Sequence, residues 1–403
     1  MFNAQPAPEA IQPVLAGTEA GTLTLQRCVA DLNPQREVPA WWTPLFKQAR
    51  NGSIFTSADW LQGWLDQYGR DFGGQWVRWE HEGRVVGGCL LLSRTVRKRR
   101  IPLRTLFINA TGEATERTPL AEYNDVLHLP GYEPAIATDL AALIGTTRWD
   151  RLVLAAHADN SLVNRIVTLL PAVRVQQRHS PACHVDLQTL RGAPFEQTLS
   201  ANTRAQIRRS ARAYEEQGPL TLTRADSLDE ALRLFNALCE LHTSRWQARG
   251  EAGSFGTAKA QAFHRRLIER LWSSRQVDLI CLSTPGGPIG YLYNFIHDGH
   301  VSFFQSGFAF EPSGKLKPGL LTHARAIQHY ADQGCVEYDF LAGDARYKRS
   351  LSGSSRELSW TEIYRDRVWL RALFWLRQRM HHLMAAALLA GQLNPIDIAR
   401  GSL

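Results

Sequence analysis

Ser313-Gly314-Lys315-Leu316-Lys317-Pro318-Gly319-Leu320-Leu321 follows a strand pattern and opens a helix pattern. Pro318 suits the first helical turn, where its missing N–H removes no hydrogen bond, and Gly314 and Gly319 let backbone approach a ligand closely. N–H groups at a helix start have no partner within the helix, so with Ser313, Lys315 and Lys317 beside them they predict a phosphate cradle. A basic surface loop with a good cap is the other reading of the same residues.

Strand patterns precede the cradle at residues 277–283, 289–297 and 301–308, joined by Pro285-Gly286-Gly287 and Asp298-Gly299. Gln305 stands as a polar residue in an apolar sheet near the loop. After the cradle, a helix over 318–333 closed by Gly334 leads into a strand over 335–341, and then comes Glu337-Tyr338-Asp339-Phe340-Leu341-Ala342-Gly343-Asp344-Ala345-Arg346-Tyr347-Lys348. Acidic, phenolic and cationic groups gather there at a strand end, where open α/β sheets place their sites. Asp339 or Asp344 is a candidate base, Tyr347 a proton donor and Lys348 a holder of an anionic group; helix caps or surface ion pairs are the competing roles. Upstream, helices are predicted over 202–217, 227–249 and 259–274. In the second of them His242 shares a face with Phe235, Cys239 and Trp246, as a core histidine or as a proton acceptor lining a pocket.

The first half has the same order. A helix capped by Ser57 precedes strands over 75–80, 84–93 and 100–109, with Glu82-Gly83 as the first turn and the basic run 94–100 as the second. A helix over 134–146, a strand over 151–156 and a helix over 161–170 complete it. Gly83-Arg84-Val85-Val86-Gly87 is echoed by Gly287-Pro288-Ile289-Gly290 about half the chain away. The fold predicted is α/β of the mixed α+β kind, with two tandem domains, each a mostly antiparallel sheet flanked by helices. Its parts are a lead-in over 1–35, domains over 36–190 and 191–366, and a basic amphipathic helix and tail over 367–403. Within the lead-in, residues 22–25 are a candidate edge strand.

The 403 residues carry 46 Lys+Arg against 38 Asp+Glu, a net +8, with 44% apolar residues. That length and composition support two ordinary domains and exclude a disordered or disulfide-stapled chain, while the charge suits an anionic partner. Six scattered cysteines without a C-x-x-C pair predict neither zinc site nor disulfide framework. No metal is expected. The longest apolar run, 383–390, is well short of the ~20 residues of a membrane span. The expected location is cytoplasmic, or peripheral to the inner face of the membrane through the C-terminal helix.

Taken together, the cradle with its strands, EYDFLAGDARYK (337–348), ANTRAQIRRSARAYEEQG (201–218), LHTSRWQARGEAGSF (241–255), IFTSADWLQGWLDQYG (54–69) and EYNDVLHLPG (122–131) resemble the GNAT-like acyltransferases of the cellulose-biosynthesis (CelD) type. The resemblance spans roughly residues 50–365 and rests on the order of its motifs. It implies tandem GNAT-like domains related to Fem-type transferases. Acetyl-CoA or another acyl-CoA would be held by the second domain at Gln305, Ser313, Gly314, Lys315, Lys317 and Gly319. The first domain would be structural or would help bind an acceptor. The family's phosphate signature, Gln/Arg-x-x-Gly-x-Gly/Ala, is here Gly314-Lys315-Leu316-Lys317-Pro318-Gly319, a departure from it. The expected reaction is transfer of an acetyl or longer acyl group to an amine or hydroxyl of a small molecule or glycan, in polysaccharide or envelope assembly of a bacterial kind.

His242, Arg245 and Trp246 carry the resemblance's "LH..RW" pattern and are acceptor-side candidates. Arg204, Arg208 and Arg212 stand one turn apart; Arg208 and Arg212 are candidates for an anionic acceptor, with a solvated face as the bland reading. A Fem-like enzyme using charged tRNA and a non-catalytic scaffold docked on a membrane surface are the rival functions.

Overall fold

In the computed structural model, residues 24–32, 36–98, 101–113, 121–190, 192–311 and 314–389 are described. Ser313, residues 1–23, Arg99 and Arg100, and the tail beyond 389 lie outside them. The first half contains β1 (Gln26–Asp31), α1 (Trp42–Gln48), α2 (Ala58–Tyr68), β2 (Gly73–His81), β3 (Arg84–Lys98), β4 (Ile101–Ile108), the two-residue β5 (Leu127–His128), α3 (Glu133–Thr146), β6 (Arg151–Ala158), α4 (Leu162–Leu169) and β7 (Ala172–Asp186). The second contains α5 (Ala201–Glu215), β8 (Thr221–Arg224), α6 (Leu228–Gln247), α7 (Ala258–Trp272), β9 (Val277–Thr284), β10 (Gly287–His297), β11 (His300–Phe308), α8 (Pro318–Asp332), β12 (Glu337–Ala342), α9 (Arg346–Leu351), β13 (Ser354–Arg365) and α10 (Val368–Leu389). The mixed α/β architecture is as the pattern predicts.

Local chemistry explains most element starts. The hydroxyls of Ser57, Ser161, Ser200, Ser227 and Thr257 each accept an N–H three residues on, capping α2, α4, α5, α6 and α7. Glu82-Gly83 and Asp298-Gly299 both have positive φ at each residue, the tight turn that suits twisted hairpins. Two sequence expectations change. The basic run is not a turn, because β3 continues through Lys98 against β4, from Leu91↔Ile108 to Lys98↔Ile101. The edge strand is Gln26–Asp31, which pairs with β2, and Thr24 and Leu25 precede it.

The strands form one sheet in the order β1-β2-β3-β4-β6-β13-β7-β12-β11-β10-β9-β8, with β5 beside β3. This order reads as two similar sheets meeting at a shared pair. β7 ends the first half in sequence but pairs with β12 of the second, and β13 ends the second half but pairs with β6 of the first. The two run antiparallel to each other along twelve residue pairs, from Ser354↔His184 to Arg365↔Ala172. Each half therefore supplies the other's last strand.

The core crosses the same boundary. Trp60 on α2 lies edge-on to Phe263 of α7, 5.5 Å between ring centroids, and to Phe295 of β10, 5.6 Å. The opposite face of the second half buries Ile207, Leu292, Phe303, Leu321 and Tyr338 under α5 and α8. Leu370 of α10 is buried against Leu103 and Tyr364, whereas Val368, Trp369, Trp375 and Leu376 are exposed. Among the described residues, no helix is long and apolar enough to cross a membrane.

Candidate active site

β11 and β12 run parallel and pair only over His300↔Glu337, Val301↔Tyr338 and Ser302↔Asp339. Beyond that they part. The register of β11 against β10 skips Phe304, and that of β12 against β7 skips from Asp339 to Ala342, with Leu341 at φ +57°. Such bulges bend a strand and re-aim side chains. The gap is a cavity of about 120 Å³ lined by Phe303, Phe304 and Gln305 of β11, Phe340, Leu341 and Ala342 of β12, Tyr347 and Lys348 of α9, and Glu122 from the first half. α8 packs on its walls through His323, whose ring lies against Phe303, Phe340 and Tyr347. The Lys317 amide donates to Ser210 Oγ at 3.0 Å, and Lys317 Nζ to the Gly314 carbonyl at 2.8 Å. Gly319 lies against Phe308, which a Cβ would meet at 3.1 Å.

The groups around the cavity are buried and charged. Lys348, 8% exposed, donates to the carbonyls of Leu341 at 3.1 Å and Ala342 at 2.7 Å, and burial pulls its pKa down. Glu122 accepts the Ala342 N–H at 2.7 Å. Burial pushes its pKa up to about 7, against the pull of that N–H and of the Lys348 charge. Asp339 is also raised by burial; its carboxylate accepts the Tyr123 hydroxyl and, at 2.6 Å, the Leu341 N–H. Tyr347 stacks on His323, 5.4 Å between centroids, and burial holds His323 neutral with its pKa down to about 3. The raised carboxyl of Glu122 means that the folded state keeps a proton which the unfolded chain releases. Stability carried by this site is therefore expected to fall as pH rises from about 4.5 to 7. Glu122→Gln should raise the melting temperature at pH 8 and leave it unchanged at pH 4, as read by calorimetry.

The equivalent split in the first half is plugged. β4 and β6 pair in parallel over Thr105↔Arg151 to Phe107↔Val153 and then separate, with Ala156 at φ +46° in the place of Leu341. Asn124 bridges the gap: its N–H donates to the Ala156 carbonyl at 3.2 Å and its Nδ2 to the Ile108 carbonyl at 3.0 Å. Asn109 Nδ2 donates to Asn124 Oδ1 at 2.9 Å. The run Glu122-Tyr123-Asn124-Asp125 thus serves both halves, closing one split and entering the other.

A larger cleft of about 940 Å³ lies between the halves. Arg50, Asn51, Ser53, Asn160 and Arg165 line it from one side, and His297, His300, Ser302, Glu337, Asp339 and Arg356 from the other. Glu337 pairs with Arg356 and faces His300 at 3.6 Å. Burial raises its pKa less than these partners lower it, so it stays ionised. Asp339 and Tyr123 face this cleft, while their neighbours Leu341 and Glu122 line the small cavity.

The structure brings Gln305, Tyr347 and Lys348 together with Asp339 next to them. It does not bring in Asp344, which is exposed and ion-paired to Arg349. His242 is buried; its Nε2 accepts the Ser254 N–H and its Nδ1 faces the Ser306 carbonyl, both at 3.2 Å, so its ring is already engaged. Trp246 leans on His242, and Arg245 lies over Phe310 at 3.6 Å. Gly314 has φ +60°, in the left-handed region that favours glycine, with open space around it. Arg208 and Arg212 line a separate groove of about 690 Å³ along α5 with Arg204 and Arg209, and Arg208 pairs with Glu196 at 3.2 Å. Sequence reasoning passed over Glu122 and Tyr123. Their signals were the EYNDVLHLPG motif (122–131), which names no role for either residue, and two carboxylate-bearing positions three apart, 122 and 125, in a stretch with no helical or strand period.

Residues 201–349 match the family described as Acetyltransferase (GNAT) domain. No curated protein matches the chain. Among solved structures the chain is similar to the crystal structure of FemX, at 9% identity and a TM-score of 0.52, over 79% of this chain and 94% of that one. It is also similar to L-PGS from Bacillus licheniformis, at 12% identity and 0.48 over 85% and 96%. A tandem GNAT protein of the clavulanic acid biosynthesis pathway gives 13% and 0.44 over 84% and 98%. At these identities the likeness concerns the fold alone. The splayed parallel strands, the helix that opens beside them and the family match converge: residues 201–349 carry a GNAT-like acetyltransferase domain.

Proposed function

We propose that the protein is an acyl-CoA-dependent acyltransferase that moves an acetyl or other short acyl group to an amine or hydroxyl. The observation that carries this reading is the asymmetry of the two splits, one filled by Asn109 and Asn124 and the other left as a cavity. The residues present suit the donor. Phe303, Phe304, Phe340 and Leu341 offer apolar walls to an acyl-bearing arm, and Lys315 and Lys317 stand with the first N–H groups of α8 for its phosphates. When bound, the thioester supplies an activated carbonyl. Gln305 and Tyr347, which line the cavity, would orient it, and Lys348 holds the walls of the gap through the carbonyls of Leu341 and Ala342. The polar cleft between the halves takes the acceptor, which favours a hydroxylated or amine-bearing molecule such as a glycan over a lipid chain. In this reading residues 36–190 serve as support and acceptor wall and 191–366 as the donor-binding half, and the kinship is with the CelD type.

Isothermal titration tests it. Acetyl-CoA should bind, and the Lys315→Ala/Lys317→Ala double variant should bind at least tenfold more weakly, since a hydrogen bond to a charged group contributes about 1.5 kcal/mol or more. Equal affinity in both, or no heat with any acyl-CoA, would overturn the donor assignment. The small volume of the cavity further predicts faster thiol release from acetyl-CoA than from octanoyl-CoA, by roughly tenfold or more.

The arginine groove along α5 favours a second reading, a Fem-like transferase that draws on charged tRNA. It requires salt-sensitive tRNA binding whose salt slope falls by about one for each of Arg208 and Arg212 neutralised. Unchanged binding in the double variant counts against it.

A further inference from the structure

We propose that Glu122 is the base of the acyl-transfer step, delivered by the first half of the chain into the split strands of the second. This rests on the acyl-CoA reading above. Among the described residues Glu122 is the only carboxylate lining the small cavity, and the Ala342 N–H fixes one of its oxygens at 2.7 Å. The groups facing it are Lys348 of α9, Asp339 of β12 and, farther off, Arg178 of β7. Lys348 directs its ammonium to the carbonyls of Leu341 and Ala342, so its charge steadies the ionised carboxylate without removing it from service. Burial acts the other way and brings the carboxyl close to neutrality, where a base is most effective. The other candidates are less suited. Asp339 is tied at both oxygens by Tyr123 and the Leu341 N–H, His242 has both ring nitrogens engaged, and Asp344 lies outside the cavity.

The step balances as follows. The acceptor nitrogen bonds to the thioester carbonyl carbon, the C–S bond breaks with its electron pair on sulfur, and the proton of the attacking nitrogen passes to the Glu122 carboxylate. The thiolate takes a proton from water, and Glu122 returns its own to water once the products leave. A contribution from the first half also gives a chemical reason for the exchange of β7 and β13. The strands that lock the halves together also fix the loop bearing Glu122 against β12.

Glu122→Gln tests this, because the amide oxygen still accepts the Ala342 N–H. Thiol release from acetyl-CoA is followed with glucosamine, ethanolamine and spermidine as amines. Against whichever amine the wild type uses, kcat should fall at least 100-fold, with KM for acetyl-CoA within twofold. The rise in rate through pH 7 should disappear, and Glu122→Asp should recover part of the rate. Wild-type kcat and pH profile in the Gln variant would overturn the proposal. Difference infrared spectroscopy keeps the test open if none of the amines reacts. A protonated carboxyl band should vanish with a midpoint near pH 7, be absent from the Gln variant, and shift its midpoint on adding acetyl-CoA. No such band overturns the role of Glu122. A band that ignores acetyl-CoA, with no calorimetric binding, overturns the acyl-CoA reading instead.

Discussion

Ending the chain at Gly353, before β13, is expected to leave no folded protein. β13 lies between β6 and β7 at the centre of the sheet, so its loss exposes two inner strand edges and removes the twelve pairs with β7. Splitting the chain at residue 190 should fail in the same way for each piece alone. The first piece would carry β7 without either of its partners, β12 and β13, and the second would have lost the strand between them. Co-expression of the two pieces should restore a soluble 1:1 complex. Size-exclusion chromatography and far-ultraviolet circular dichroism decide the matter, and a folded monomeric fragment from either half would show that the exchanged strands are dispensable.

Trp60→Ala is expected to lower stability by about 3–5 kcal/mol, the usual loss for deleting a large buried aromatic. Trp60 is fully buried, with ring centroids 4.8 Å from Phe55, 5.5 Å from Phe263, 5.6 Å from Phe295 and 6.2 Å from Phe304. It therefore joins α2 of one half to α7 and the sheet of the other, and it supports a wall of the cavity through Phe304. Its Nε1 is buried without a partner, so Trp60→Phe keeps a ring and removes an unsatisfied donor. The Phe variant should lose much less. Urea unfolding measures both, and an alanine variant within 1 kcal/mol of wild type would mean that the halves do not share this core.

The parts of the fold that sequence discloses are those with local causes. Ser57 and Ser227 announce their helices by capping chemistry, and Asp298-Gly299 and Glu82-Gly83 announce hairpins because few other residues take positive φ. β7 and β13 have no such cause. β7 is half exposed along much of its length, with polar residues on both faces, and it carries Pro181 within it beside the β12 bulge. Its partners are set by pairs such as Ser359↔His179, whose hydroxyl and ring nitrogen lie 2.9 Å apart across 180 residues of sequence. The site follows the same rule. Gln305, Tyr347 and Lys348 could be named as candidates because they lie on β11 and α9, elements on either side of the cradle and its helix in sequence. Glu122 was not, since only the packing of one half on the other aims it into the cavity.

The exchanged strands also bear on how the protein is made. A ribosome releases β6 and β7 long before β12, and β13 emerges after all of them, so the middle of the sheet stays unpaired until residue 365 has been made. Pairing across such separations is slow and exposes strand edges to other chains. Elongation past residue 365, rather than completion of either half, is then the event that permits folding. A nascent chain stalled before that point should occupy chaperones as an unfolded protein does.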